Sequence, residues 1–139
     1  MVGLKKAKTL FKAGNHTCVL VTETGVFTSK ERGVKPLLNV LNADMGVSNA
    51  CVADKVVGKA AAFLYELMGI NALYAFTISE PALAVLKRAG IYVEYETLVP
   101  CIRNRTNTGP CPMESAVWEV NDARLAREIL ENKVNGGKI

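Results

Sequence analysis

The sequence predicts an α/β domain in which a mixed sheet lies between layers of helices. Two observations predict it. Along the whole chain, stretches with apolar residues three and four apart alternate with short β-branched runs. The first two runs face each other across a turn, as in a hairpin, whereas the later ones are separated by helical stretches long enough for parallel crossovers. At 139 residues, half of them hydrophobic, the chain can bury one core without disulfides or metal, so residues 1–139 read as one domain with a short tail from about Asn135.

Leu4, Ala7, Leu10 and Phe11 repeat at helical spacing with lysines between them, and Gly14-Asn15 ends this first helix. Thr17–Glu23 and Val26–Ser29 are strands joined at Thr24-Gly25. Val34, Leu37, Leu38 and Leu41 give a short helix that tolerates Pro36 in its first turn, and Asn42–Asn49 is a polar loop. From about Cys51 to Met68 the alanine-rich pattern predicts a long central helix stopped by Gly69. Ala72–Ile78 is a buried strand, Ser79 caps a helix with Pro81 just inside it, and Gly90 ends that helix. Ile91–Val99 alternates and lies nearer an edge. Pro100–Gly109 is a long polar loop. One closing helix runs from Pro112 to Trp118, and another, capped by Asn121, runs to about Lys133.

Composition excludes several classes. The formal charge of +4, with acids and bases interleaved, is far from the footprint of a dedicated nucleic-acid binder. No stretch reaches the roughly 20 apolar residues of a membrane span, and no signal-type h-region follows the early lysines, so a cytoplasmic protein is expected. Cys18, Cys51, Cys101 and Cys111 have no CxxC spacing and read as reduced thiols. With one histidine, His16, they make neither a zinc site nor a serine-type triad, and no cofactor is expected.

Polar chemistry concentrates in Cys51-Val52-Ala53-Asp54-Lys55-Val56-Val57-Gly58-Lys59, read as the opening of the central helix. On a helix Lys55 and Lys59 would share a face, and a bound anion would relieve their repulsion. Gly58 inside a helix costs about 1 kcal/mol against alanine, and close approach of a backbone or ligand is a usual reason to keep it. The competing reading is a solvated lysine face. Cys111 precedes Pro112 at a helix start, where a thiol can become nucleophilic, and Cys51 is placed comparably. Arg103, Asn104 and Arg105 offer donors for a phosphate or carboxylate, as does Lys35 beside Arg32-Gly33. The alternative for all of these is a set of unrelated surface charges.

The segments Arg32-Gly33-Val34-Lys35-Pro36-Leu37-Leu38, Ala53-Asp54-Lys55-Val56-Val57-Gly58-Lys59-Ala60-Ala61, Ser79-Glu80-Pro81-Ala82 and Cys111-Pro112-Met113-Glu114 together resemble the bacterial domain-of-unknown-function family 1893, over about Phe11 to Trp118. The resemblance implies a cytidine-deaminase-like three-layer α-β-α sandwich and no known reaction. Zinc deaminases open the central helix with His-Ala-Glu and the next with Pro-Cys-x-x-Cys. Val52-Ala53-Asp54 stands for the first motif here, and Ser79 and Ala82 stand for the two cysteines, so every metal ligand is missing.

The expectation is therefore a zinc-free pocket for a nucleotide or another phosphorylated small molecule. Asp54, Glu80 and Cys111 are its candidate catalytic groups. Lys35, Cys51, Lys55, Lys59, Ser79, Arg103, Asn104 and Arg105 are its candidate ligand-binding groups. The alternative is a regulatory or interaction module with a vestigial pocket, compatible with a homodimer.

Overall fold

A computed structural model describes residues 2–31, 33–104 and 106–136. Arg32 and Arg105, both singled out above, lie outside the described residues, as does the end of the expected tail beyond Gly136. In chain order the elements are α1 (Val2–Ala13), β1 (Cys18–Val21), β2 (Val26–Ser29), α2 (Lys35–Asn42), β3 (Cys51–Val57), α3 (Lys59–Met68), β4 (Ala72–Ser79), α4 (Glu80–Arg88), β5 (Tyr92–Val99), α5 (Pro112–Ala116) and α6 (Ala123–Val134). The strands form one sheet in the order β2-β1-β3-β4-β5.

The largest correction to the sequence reading is β3. Cys51–Val57 is the middle strand of the sheet, antiparallel to β1 with Cys18 opposite Asp54, and parallel to β4 with Asp54 opposite Ala75. Alanine and lysine favour a helix locally, but ladders on both sides and the β-branched Val52, Val56 and Val57 outweigh that preference. The helix begins only after Gly58, so Lys55 and Lys59 do not share a helical face. Val52-Ala53-Asp54 lies within a strand, which removes its correspondence with a helix-opening His-Ala-Glu motif.

The sheet is mixed, with the hairpin and its β3 pairing antiparallel and β3-β4-β5 parallel. The two crossovers step the same way across the sheet, so α3 and α4 fall on one face. There they build the main core with α2 and α6, around Leu20, Val52, Phe63, Leu64, Leu73, Leu86 and Leu130. The opposite face is covered by α1, whose Leu4 and Ala7 pack on Val19, Val21, Ala53, Ala72 and Tyr74. Phe11 adds an edge-on contact to Tyr74 at 6.1 Å between ring centres.

Helix ends follow the sequence signals closely. Ser79 Oγ accepts from Ala82 N–H at 3.2 Å at the start of α4, and Gly69 (φ +72°) closes α3 in the left-handed conformation. The cap of α6 is Asp122 rather than Asn121, its carboxylate accepting from Arg124 N–H. β5 is the edge strand that its alternation predicted, with Tyr92, Tyr95 and Leu98 exposed. No helix among the described residues is long and apolar enough to cross a membrane.

Candidate functional site

The carboxyl ends of β3 and β4, where α3 and α4 begin, carry the densest buried polar cluster. Its centre is Glu114 of α5, only 2% exposed. One carboxylate oxygen accepts from the Lys59 backbone N–H at 2.7 Å and from Ser79 Oγ–H at 2.5 Å, and the other accepts from Ile102 N–H at 2.6 Å. Ser79 in turn caps α4. One carboxylate therefore closes the positive N-terminus of α3, anchors the cap of α4 and fixes the chain at Ile102.

Gly58 explains itself here. It is the N-cap of α3, and a Cβ on it would stand 3.1 Å from Ile102 Cγ1 and 3.2 Å from Glu114 Oε2. The close approach that its position suggested comes from the chain's own carboxylate. Beside it, the Lys59 ammonium donates to the Trp118 carbonyl at 2.6 Å, and burial lowers its pKa while nearby Glu119 opposes that shift.

A second polar cluster lies in the core itself. Asp54 accepts from Tyr65 Oη–H at 2.6 Å, with Val56 N–H further off at 3.4 Å, and Cys18 Sγ lies 3.2 Å from the same phenol. Burial pushes the Asp54 carboxyl up to about 7 against the pull of these donors, and burial also raises Cys18 and Tyr65. This Asp-Tyr-Cys chain was not legible as a unit, because its members come from three separate elements, β1, β3 and α3.

The candidate residues thus divide. Lys59 and Ser79 meet at Glu114, while Asp54 belongs to the core cluster. Lys35, Lys55 and Glu80 are exposed at the first residue of α2, on β3 and at the first residue of α4. Cys111 occupies the N-cap position of α5, half-buried and making no side-chain cap. Arg103 and Asn104 are engaged within their own loop, Arg103 with Asn107 at 3.1 Å and Asn104 with Thr108 N–H at 2.9 Å. Cys51 stands at the opposite end of β3, about 20 Å from Val57 by strand rise. It lies against α1 beside Gly3, and burial raises its pKa. Glu114, read from sequence only as an early helical position, is the residue that joins the two helix starts. Nothing in its spacing announces partners 35 and 55 residues away.

Comparison with known proteins gives the same architecture a family. A crystal structure of a DUF1893 family protein, TM1506 from Thermotoga maritima, superposes with a TM-score of 0.87 at 27% identity, covering 95% of this chain and 90% of that one. A search of curated proteins finds no match. The family model described as TM1506, domain of unknown function (DUF1893), matches residues 6–134. The chain belongs to the DUF1893 family.

Proposed function

We propose that this chain is a non-catalytic binding or regulatory module on a cytidine-deaminase-like fold, in which the crevice at the strand ends is closed by an internal carboxylate. The observation that carries this reading is Glu114. Open α/β sheets usually receive ligands beyond the carboxyl ends of their parallel strands, next to helix N-termini. Here Glu114 already accepts from the first N–H of α3 and from the hydroxyl that caps α4. Asp54, whose raised pKa suits acid/base work, sits in the core behind Tyr65.

Hydrolytic deamination needs a metal-activated water and a nearby carboxylate. Lys59, Ser79 and Glu114 meet at the α3 and α4 starts, and among the described residues no three histidine, cysteine, aspartate or glutamate side chains are grouped to hold a metal ion, which supports a zinc-independent role. The working surface is then a helix face or sheet edge that pairs with a partner or a second copy. The test is ammonia release from a panel of nucleosides and nucleotides. None is expected from the wild type, and release that disappears in Asp54→Asn or Glu114→Gln would overturn the proposal.

A second reading places a nucleotide or other phosphorylated small molecule at the same end, in the cytoplasm and without metal. It is favoured by Lys35, Lys55, Glu80 and Arg103, which stay exposed, and by half-buried Cys111. In that reading Asp54 or Glu80 handles protons and the cations hold the phosphate. A ligand at a hundred times its dissociation constant adds about 2.7 kcal/mol of stability. A thermal shift lost in a Lys55→Ala/Arg103→Ala variant would establish this reading, and a shift indifferent to those changes would remove it.

A further inference from the structure

The chain's net charge is not spread over its surface. Of 17 basic and 13 acidic residues, α1 holds Lys5, Lys6, Lys8 and Lys12 and no acid, which leaves the rest of the chain with 13 of each. The excess of +4 is therefore the charge of one helix. Lys5, Lys8 and Lys12 are three and four residues apart, so they follow one face of α1 over about 10 Å of helix rise.

That face is one wall of a groove of about 510 Å³, a volume within the usual range for small-ligand sites. The groove lies between α1 and edge strand β5 and is lined by Lys5, Lys8, Thr9, Lys12, Tyr92 and Glu94. The Lys8 and Lys12 ammonium groups stand over one aromatic ring, 5.0 Å and 5.6 Å from the centre of Tyr74. Lys8 also pairs with Glu94 at 2.8 Å, and Tyr92 Oη–H donates to the other oxygen of Glu94 at 2.8 Å. Glu94 thus already has two donors. Among the described residues neither Lys5 nor Lys12 has an acidic partner within ion-pair distance. Tyr92 on the opposite wall is 48% exposed and offers an aromatic ring to the groove.

We propose that the α1-β5 groove binds a phosphorylated ligand of nucleotide size, with its phosphates on Lys5, Lys8 and Lys12 and a ring plane against Tyr92. Two positive side chains without acidic partners and a third shared with one carboxylate favour a multiply charged anion over a single carboxylate. An aromatic wall beside a cationic one is the pairing that holds a base and its phosphates together. The site is separate from the strand-end crevice and does not depend on either reading of it.

The probes are ADP, inorganic tripolyphosphate and adenosine, titrated calorimetrically into the full chain at low and moderate salt. ADP is expected to bind, more weakly as salt rises. A Lys5→Ala/Lys12→Ala variant with unchanged melting temperature should weaken ADP at least about tenfold. Tyr92→Ala should weaken ADP and leave tripolyphosphate unchanged, and Lys55→Ala/Arg103→Ala should leave both unchanged. ADP binding indifferent to Lys5→Ala/Lys12→Ala, or lost instead with Lys55→Ala/Arg103→Ala, would overturn the groove and move the ligand to the strand ends. No heat from ADP or tripolyphosphate at low salt would overturn it outright.

Discussion

Asp54 and Glu114 are both buried carboxylates, yet they sit in opposite circumstances. Glu114 lies at the sheet's end with three donors between 2.5 and 2.7 Å, two of them backbone N–H groups, one from a helix N-terminus. Asp54 lies mid-sheet with one short bond, to a phenol, and burial dominates its titration. Burial alone does not decide what a carboxylate does inside a protein. The number and kind of donors do, and a helix terminus supplies what a single phenol does not.

The sharpest test of that contrast is pH. The folded-state pKa of Asp54 is raised from 3.8 to about 7, so the folded chain holds a proton that the unfolded chain has released. Its contribution to stability is complete below about pH 4 and is lost as pH rises through about 7. Over that window the loss is on the order of 4 kcal/mol, at 1.36 kcal/mol for each pKa unit. Urea titrations from pH 4 to 8 should show wild type losing stability relative to Asp54→Asn by that order. Parallel curves would show that Asp54 is ionised at little cost and that the contrast is false.

Glu114→Ala comes next. It strands two backbone donors and the Ser79 hydroxyl, and should cost about 3 kcal/mol at neutral pH by chemical denaturation. A loss below about 1 kcal/mol would mean that water replaces the carboxylate freely. Ser79→Ala removes one donor and the α4 cap, and should cost about 1 to 2 kcal/mol, with hydrogen exchange rising first in the opening turn of α4. The smallest expected effect is Gly58→Ala. Its φ of −96° accepts a side chain without strain, so only the contacts with Ile102 and Glu114 oppose it, at about 1 kcal/mol. A stabilised Gly58→Ala protein would show that the cluster is looser than its distances suggest.

Much of the fold was legible in the sequence, because helix stops such as Gly69 and caps such as Ser79 act locally and the hairpin carries its own turn. What failed was Cys51–Val57. Its side chains satisfy a helical pattern as well as a strand pattern, and only the ladders from β1 and β4, set by residues far along the chain, choose between them. Its three valines and the glycine after them were the available signal. The candidate site was legible in its residue types and not in its grouping. Lys59, Ser79 and Gly58 do converge, but on Glu114 of the chain itself. Asp54, read as part of the opening of the central helix, lies in β3 instead, so its partner Tyr65, one helix away, was invisible.

Glu114 also imposes an order on the making of the protein. The donors it satisfies at Lys59 and Ser79 are synthesised 55 and 35 residues before it. While the chain emerges, the first N–H of α3 and the Ser79 hydroxyl that caps α4 lack their acceptor at the end where the parallel strands finish. The acceptor arrives only after every strand of the sheet has been made. A chain cut short before α5 would keep every strand of the sheet and lack the acceptor that holds two of its helix starts in place.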